Sequence, residues 1–159
     1  MQLQHPMPIY SATGTDYHMV SMRLEPVGAN WLPPSPVQLY NLTESLLTTL
    51  QALHAHGHVH RDIRSDNILS VSSGWMLIGW ELAAPIGSLV FWHGTAFPPG
   101  MSSGLSWGPQ HDLWQLGLLL QKQPQKTHAV EAFAQQLMNV QGASASVALQ
   151  ALRSTPSWQ

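Results

Sequence analysis

The chain has 159 residues, 44% of them apolar and 9% charged, with no cysteine and a formal net charge of −2. That length suits one domain with one core, and the absence of cysteine excludes a disulfide framework or a thiolate metal site. Charge lies well below the roughly 25% usual in soluble domains; with no basic block nucleic acid is not an expected partner, and with no run of about 18 apolar residues no membrane span is expected.

Residues 1–16 are polar, contain Pro and Gly, and are expected to form a flexible N-terminal segment. They lack a basic region followed by an apolar run, so no signal peptide is expected and the cytoplasm or nucleus is the default compartment. Residues 17–24 read YHMVSMRL, a strand-like composition with Met19, Val20 and Met22 available for burial. Residues 26–36 hold prolines, Gly28 and Asn30, the composition of a loop. A helix is expected next, capped by Asn41 or Thr43, because Leu42, Leu46, Leu47, Leu50 and Leu53 recur at three- and four-residue intervals. Gly57 is its expected stop. Residues 68–71 and 75–78 are short apolar runs separated by Ser72, Ser73 and Gly74, the pattern of a hairpin. Residues 84–110 are rich in Gly, Pro and Ser and are expected to be irregular. Residues 111–120 predict a helix whose Leu113, Trp114, Leu116, Leu118, Leu119 and Leu120 are too apolar for a surface position. Residues 129–140 and 144–152 predict two further helices. No internal repeat is visible.

What charge the chain has is concentrated at Arg61, Asp62, Arg64 and Asp66. They belong to the stretch His60-Arg61-Asp62-Ile63-Arg64-Ser65-Asp66-Asn67, of the form H-R-D-x-x-x-x-N. This stretch resembles the catalytic loop of protein kinases. Further on, Asp112-Leu113-Trp114-Gln115-Leu116-Gly117 resembles the D-x-W-x-x-G start of that fold's buried central helix. The two motifs stand in the right order with a hairpin between them, a more specific signal than either alone.

The resemblance implies an α+β, mostly α fold over residues 17–158: a truncated protein-kinase-like C-terminal lobe with a short hairpin, a vestigial hinge strand at 17–25, and the N-terminal lobe largely absent. It implies that Asp62 accepts the proton of an acceptor hydroxyl, that Asn67 holds magnesium, and that Arg64 contacts a transferring phosphate. It gives His60, Arg61 and Asp112 supporting roles, with Asp112 holding the backbone of the loop. ATP and Mg are the implied cofactors if any activity is retained.

The departures bear on function. Where the family carries an Asp-Phe-Gly triplet whose Asp binds magnesium, this chain has Gly79-Trp80-Glu81. Glycine has no ligand to offer, and Glu81 is displaced by two positions. The first lysine is Lys122, beyond the loop, and no G-x-G-x-x-G precedes Asp62. Residues 94–99 (GTAFPP) are the nearest equivalent of the family's A-P-E. Phosphoryl transfer depends on positioning and on neutralising charge, and these losses remove much of that neutralisation.

His54, His56, His58 and His60 alternate, and on a strand all four would face one side as metal ligands do. The leucine pattern instead places His54 and His56 at a helix end, where a histidine suits the dipole. Trp114 reads as core, and Trp75 and Trp80, flanking the hairpin, as packed on the lobe. The expected function is a catalytically impaired kinase-like protein, a pseudokinase, acting through a protein partner. The alternatives are a protein kinase, active or completed by a partner, transferring phosphate from ATP to Ser or Thr, and a small-molecule phosphotransferase of the aminoglycoside or choline kinase type, whose metal motif Asp-Trp-Glu is close to Gly79-Trp80-Glu81.

Overall fold

A computed structural model of the chain describes residues 28–29, 34–91, 96–99, 101, 104–139, 144–155 and 158. The segment expected to be flexible at 1–16, the expected hinge strand at 17–25 and part of the expected loop at 26–36 lie outside the described residues.

Helix α1 spans Pro36–Ala55. Its cap is Ser35, not Asn41 or Thr43, and it begins inside the stretch expected to be loop. Ser35 Oγ accepts from the Gln38 N–H at 3.4 Å, and Gln38 Oε1 accepts from the Ser35 N–H at 2.9 Å. Pro36 stands at the first helical position, where its missing N–H has no intrahelical partner to lose. Thr43 lies buried within the helix, its hydroxyl donating to the Leu39 carbonyl at 2.7 Å. Leu39, Leu42, Leu46, Leu47 and Leu50 are fully buried along one stripe. Each contributes about 1.5–3 kcal/mol by leaving water. The helix ends at Gly57, whose φ of 76° is the left-handed conformation that glycine adopts freely.

Strand β1 (His58–Val59) pairs antiparallel with β4 (Ala84–Pro85), a short pairing inside the stretch expected to be irregular. The hairpin is β2 (Ile68–Val71) with β3 (Gly74–Leu77), in the register Ile68 opposite Leu77 and Val71 opposite Gly74. Ser72 and Ser73 make its two-residue turn. Ala29 adds a single bridge to Ser70 on the outer edge of β2.

Three further helices complete the described residues: α2 (Pro109–Gln121), α3 (His128–Met138) and α4 (Ala145–Ser154). Helix α2 is buried nearly all round, from Asp112 to Gly117 and again at Leu119 and Leu120. It packs along α3, and α4 packs along α1. Gly117 lets α2 and α3 approach: a Cβ there would stand 2.7 Å from the Ala134 carbonyl oxygen. Thr127 caps α3 and Ser144 caps α4 through their hydroxyls. Trp158 closes the bottom of the core, edge-on to Tyr40 and Phe133. Among the described residues no helix is long and apolar enough to cross a membrane.

Candidate functional site

The 60–67 loop is held from below by α2. Asp112, fully buried at the start of that helix, accepts hydrogen bonds from the backbone N–H of His60 at 2.8 Å and of Arg61 at 2.9 Å. Trp107 Nε1–H donates to the same carboxylate at 2.9 Å, and His54 Nε2 lies 2.9 Å from it. One turn along, buried Gln115 receives the Ile63 N–H at 2.9 Å and donates to the Arg61 carbonyl at 3.0 Å. The loop backbone thus hangs on two polar side chains of an otherwise apolar helix, and its buried amides are satisfied.

This grip holds Arg61 at φ 75°, an uncommon conformation for a residue with a side chain. The Arg61 guanidinium turns inward and donates to the carbonyls of Leu82 and Leu89. Burial pulls its pKa below the ordinary arginine value, against an upward pull from Asp112. His60 is also fully buried. Its Nε2 bonds the Ile78 carbonyl at 3.0 Å and its Nδ1 accepts from the Asp62 N–H at 3.3 Å, the pattern of a neutral ring. Burial lowers its pKa, outweighing the pull of Asp112.

Above this base, Asp62, Arg64 and Asn67 come together. Asn67 Nδ2 donates to Asp62 Oδ2 at 2.7 Å and to the Asp62 carbonyl at 2.8 Å. Arg64 Nε donates to Asp62 Oδ2 at 3.2 Å, and its Nη1 to Asp66 Oδ2 at 3.0 Å. Half of the Arg64 side chain is exposed, so these ion pairs are worth little to stability, about 0–1 kcal/mol each. Arg64 and Lys122 also line a cleft of about 460 Å³ floored by Ile63, Leu118 and Leu119.

Gly79 follows the hairpin with φ 78° and ψ 48°, capping a single turn of 3-10 helix at Trp80–Leu82. Glu81 on that turn is exposed. Trp80 is 43% exposed rather than packed on the lobe, one edge meeting the His60 ring at 4.7 Å between centroids. Trp75 does pack against the main core, and Trp114 is buried within it.

Magnesium, which the loop resemblance implies, does not fit these residues. Position 79 has no side chain, and a Cβ placed there would collide with the Asn67 side chain. Asn67 itself is turned onto Asp62. Among the described residues no group of three or more His, Asp or Glu side chains is arranged to hold a metal ion. The four alternating histidines scatter: His54 faces Asp112, His56 Nδ1 bonds the Ala52 carbonyl, His58 Nδ1 bonds the His56 carbonyl, and His60 lies under the loop.

Three partners in this site escaped the sequence reading. Gln115 carried a signal, a polar residue inside an apolar run. His54 and Trp107 carried none, since their role depends on how the end of α1 and the residues next to Trp107 meet Asp112.

No family model matches the chain. Among curated proteins it is similar to human serine/threonine-protein kinase PAK 4, 36% identical over 86 residues that make up 48% of this chain and 14% of that protein. Serine/threonine-protein kinase SMU1 of Mycosarcoma maydis is 33% identical over 89 residues, 52% of this chain and 12% of that protein. The probable serine/threonine-protein kinase PkwA of Thermomonospora curvata matches at 33% over 89 residues, again 12% of its length. A solved ROP18 kinase domain in complex with AMP-PNP and sucrose superposes with a TM-score of 0.58 at 23% identity, covering 77% of this chain and 41% of that one. The fold is a protein-kinase-like C-terminal lobe. The kinase-like match spans about a seventh or less of the length of these curated relatives. Within this lobe the described residues supply the loop, the hairpin and the central helix.

Proposed function

We propose that this chain is a catalytically impaired kinase-like protein, a pseudokinase, that acts by binding other proteins. One observation carries the reading: Gly79 stands where phosphoryl transfer needs a metal-binding carboxylate, while Arg64 and Asn67 both donate to Asp62. A loop so satisfied serves the fold. The interaction role is supported by the exposed apolar side chains Ile86, Leu89, Phe91 and Leu105 between β4 and α2, with Trp80 close by in sequence. The cytoplasm or nucleus is the proposed compartment.

A second reading, a kinase completed by a partner that brings the phosphate-binding half, is favoured by the survival of Asp62 and Asn67 side by side. The relatives reported above are serine/threonine kinases, and the small-molecule phosphotransferase reading draws no support from them. The readings separate in a radiolabel-transfer assay from ATP with wild type and Asp62→Asn. The proposal expects no transfer by the isolated chain and partner binding unchanged by Asp62→Asn. Transfer that appears only with a partner and vanishes in Asp62→Asn would favour the second reading. Asp62-dependent transfer by the isolated chain would overturn the first.

A further inference from the structure

Most cations among the described residues already have an acceptor. Arg61 is buried on the Leu82 and Leu89 carbonyls, Arg153 pairs with Glu44 at 2.8 Å, and Lys126 Nζ lies 3.5 Å from the Gln123 carbonyl. Arg64 is shared between Asp62 and Asp66 through Nε and Nη1, which leaves its Nη2 without an acceptor among the described residues. The exposed Lys122 ammonium has neither a hydrogen bond nor an ion pair among them. Lys122 and Arg64 both line the 460 Å³ cleft between the loop and α2, and no carboxylate lines it. The floor of that cleft is apolar. From Asp112 to Leu120 helix α2 is buried at every position but one: Leu118 is half-buried, and it lines the cleft beside Ile63 and Leu119. The volume falls within the range of small binding sites, about 300–1,000 Å³.

We propose that this cleft docks an acidic segment of a protein partner. An apolar side chain of the segment rests on Ile63, Leu118 and Leu119, and the carboxylate of a neighbouring Glu or Asp meets Lys122, with Arg64 Nη2 as a second donor. Because Asp62 and Asp66 already share the charge of Arg64, Lys122 supplies the attraction and Arg64 supplies direction. A basic segment would bring like charge to Lys122 and find no acid lining the cleft. The proposal rests on the protein-binding reading and names the chemistry of the partner.

The test titrates the isotope-labelled full chain with the peptide acetyl-Gly-Ser-Leu-Glu-Glu-Ser-Gly-amide and follows the backbone amides by NMR. The expected result is a set of shifts clustered at residues 63–65 and 115–122, with a dissociation constant of about 0.1–1 mM. Replacing both glutamates of the peptide by lysine, or its leucine by serine, should weaken binding about fivefold or more. Lys122→Glu should weaken the acidic peptide about tenfold and tighten the lysine peptide. Lys126→Glu makes the same change in net charge outside the cleft, and should alter neither by more than about twofold. Leu118→Ser, at a position already half-exposed, should leave the chain folded and reproduce the loss seen with the serine peptide. Equal binding of the acidic and lysine peptides, or equal effects of Lys122→Glu and Lys126→Glu, would overturn the proposal. So would no binding of the acidic peptide at millimolar concentration. Shifts centred on Leu89 and Leu105 would also overturn it, by placing the docking surface on the exposed apolar side chains between β4 and α2. A failed titration removes the cleft assignment alone, whereas Asp62-dependent phosphotransfer by the isolated chain removes the protein-binding reading beneath it.

Discussion

Removing the Asp112 carboxylate should be among the most damaging single changes in this chain. Asp112 is fully buried and receives the N–H groups of His60 and Arg61 and the Trp107 indole, with His54 Nε2 at 2.9 Å. In Asp112→Ala the two backbone donors lose this acceptor. Each buried donor left unmade costs about 1–3 kcal/mol. The buried Trp107 indole and the His54 imidazole lose a partner as well, which adds to the cost. A partial offset comes from Arg61, whose φ of 75° is held by this grip and is strained by about 1 kcal/mol or more. The net expectation is a loss of about 3–5 kcal/mol, at the upper end of what single substitutions do. Asp112→Asn keeps one acceptor oxygen but turns an amide NH₂ toward donors, so it should cost about 2–3 kcal/mol. Urea unfolding at neutral pH measures both. Asp66→Ala is the control, because Asp66 is exposed and should change stability by no more than about 0.5 kcal/mol. A loss below about 1 kcal/mol for Asp112→Ala, or one equal to that of Asp66→Ala, would refute the view that the loop hangs on α2.

Stability should also depend on pH through His60. Its folded pKa lies below the ordinary 6.5, so the unfolded chain takes up the proton first. The contribution of neutral His60 is complete above 6.5 and is lost as pH falls from there through the lowered folded value. His111, also lowered by burial, acts in the same direction. Urea midpoints should therefore drop on the acid side of 6.5, with a shallower drop in His60→Gln; an unchanged slope in that variant would contradict the assignment. Gly117→Ala should destabilise by about 1–3 kcal/mol by forcing α2 and α3 apart, measured by the same unfolding.

The elements legible in the sequence were those with a strong local pattern. The apolar run 113–120 marked α2 as buried, and Ile68 to Leu77 with its serine turn marked the hairpin. The start of α1 is legible too, in Ser35, Pro36 and Gln38, but Pro36 also continues the proline-rich stretch before it. The pairing of β1 with β4 joins two residues to two across a long loop, and nothing local announces it. At the site, the loop motif placed Asp62 and Asn67, but motifs do not reveal packing. That Trp80 stays half in solvent, that His54 faces Asp112, and that Asn67 fills the space over Gly79 all depend on distant segments meeting.

The proposed reading is that this kinase-like lobe keeps its loop as structure and lacks the means to hold magnesium and nucleotide. The most direct test is ATP binding to the isolated chain with and without Mg²⁺, by thermal shift and calorimetry, since a ligand that binds only the folded state must raise Tm. The expected result is no magnesium-dependent rise and no affinity tighter than the millimolar range, about −4 kcal/mol. A magnesium-dependent dissociation constant in the micromolar range would contradict it.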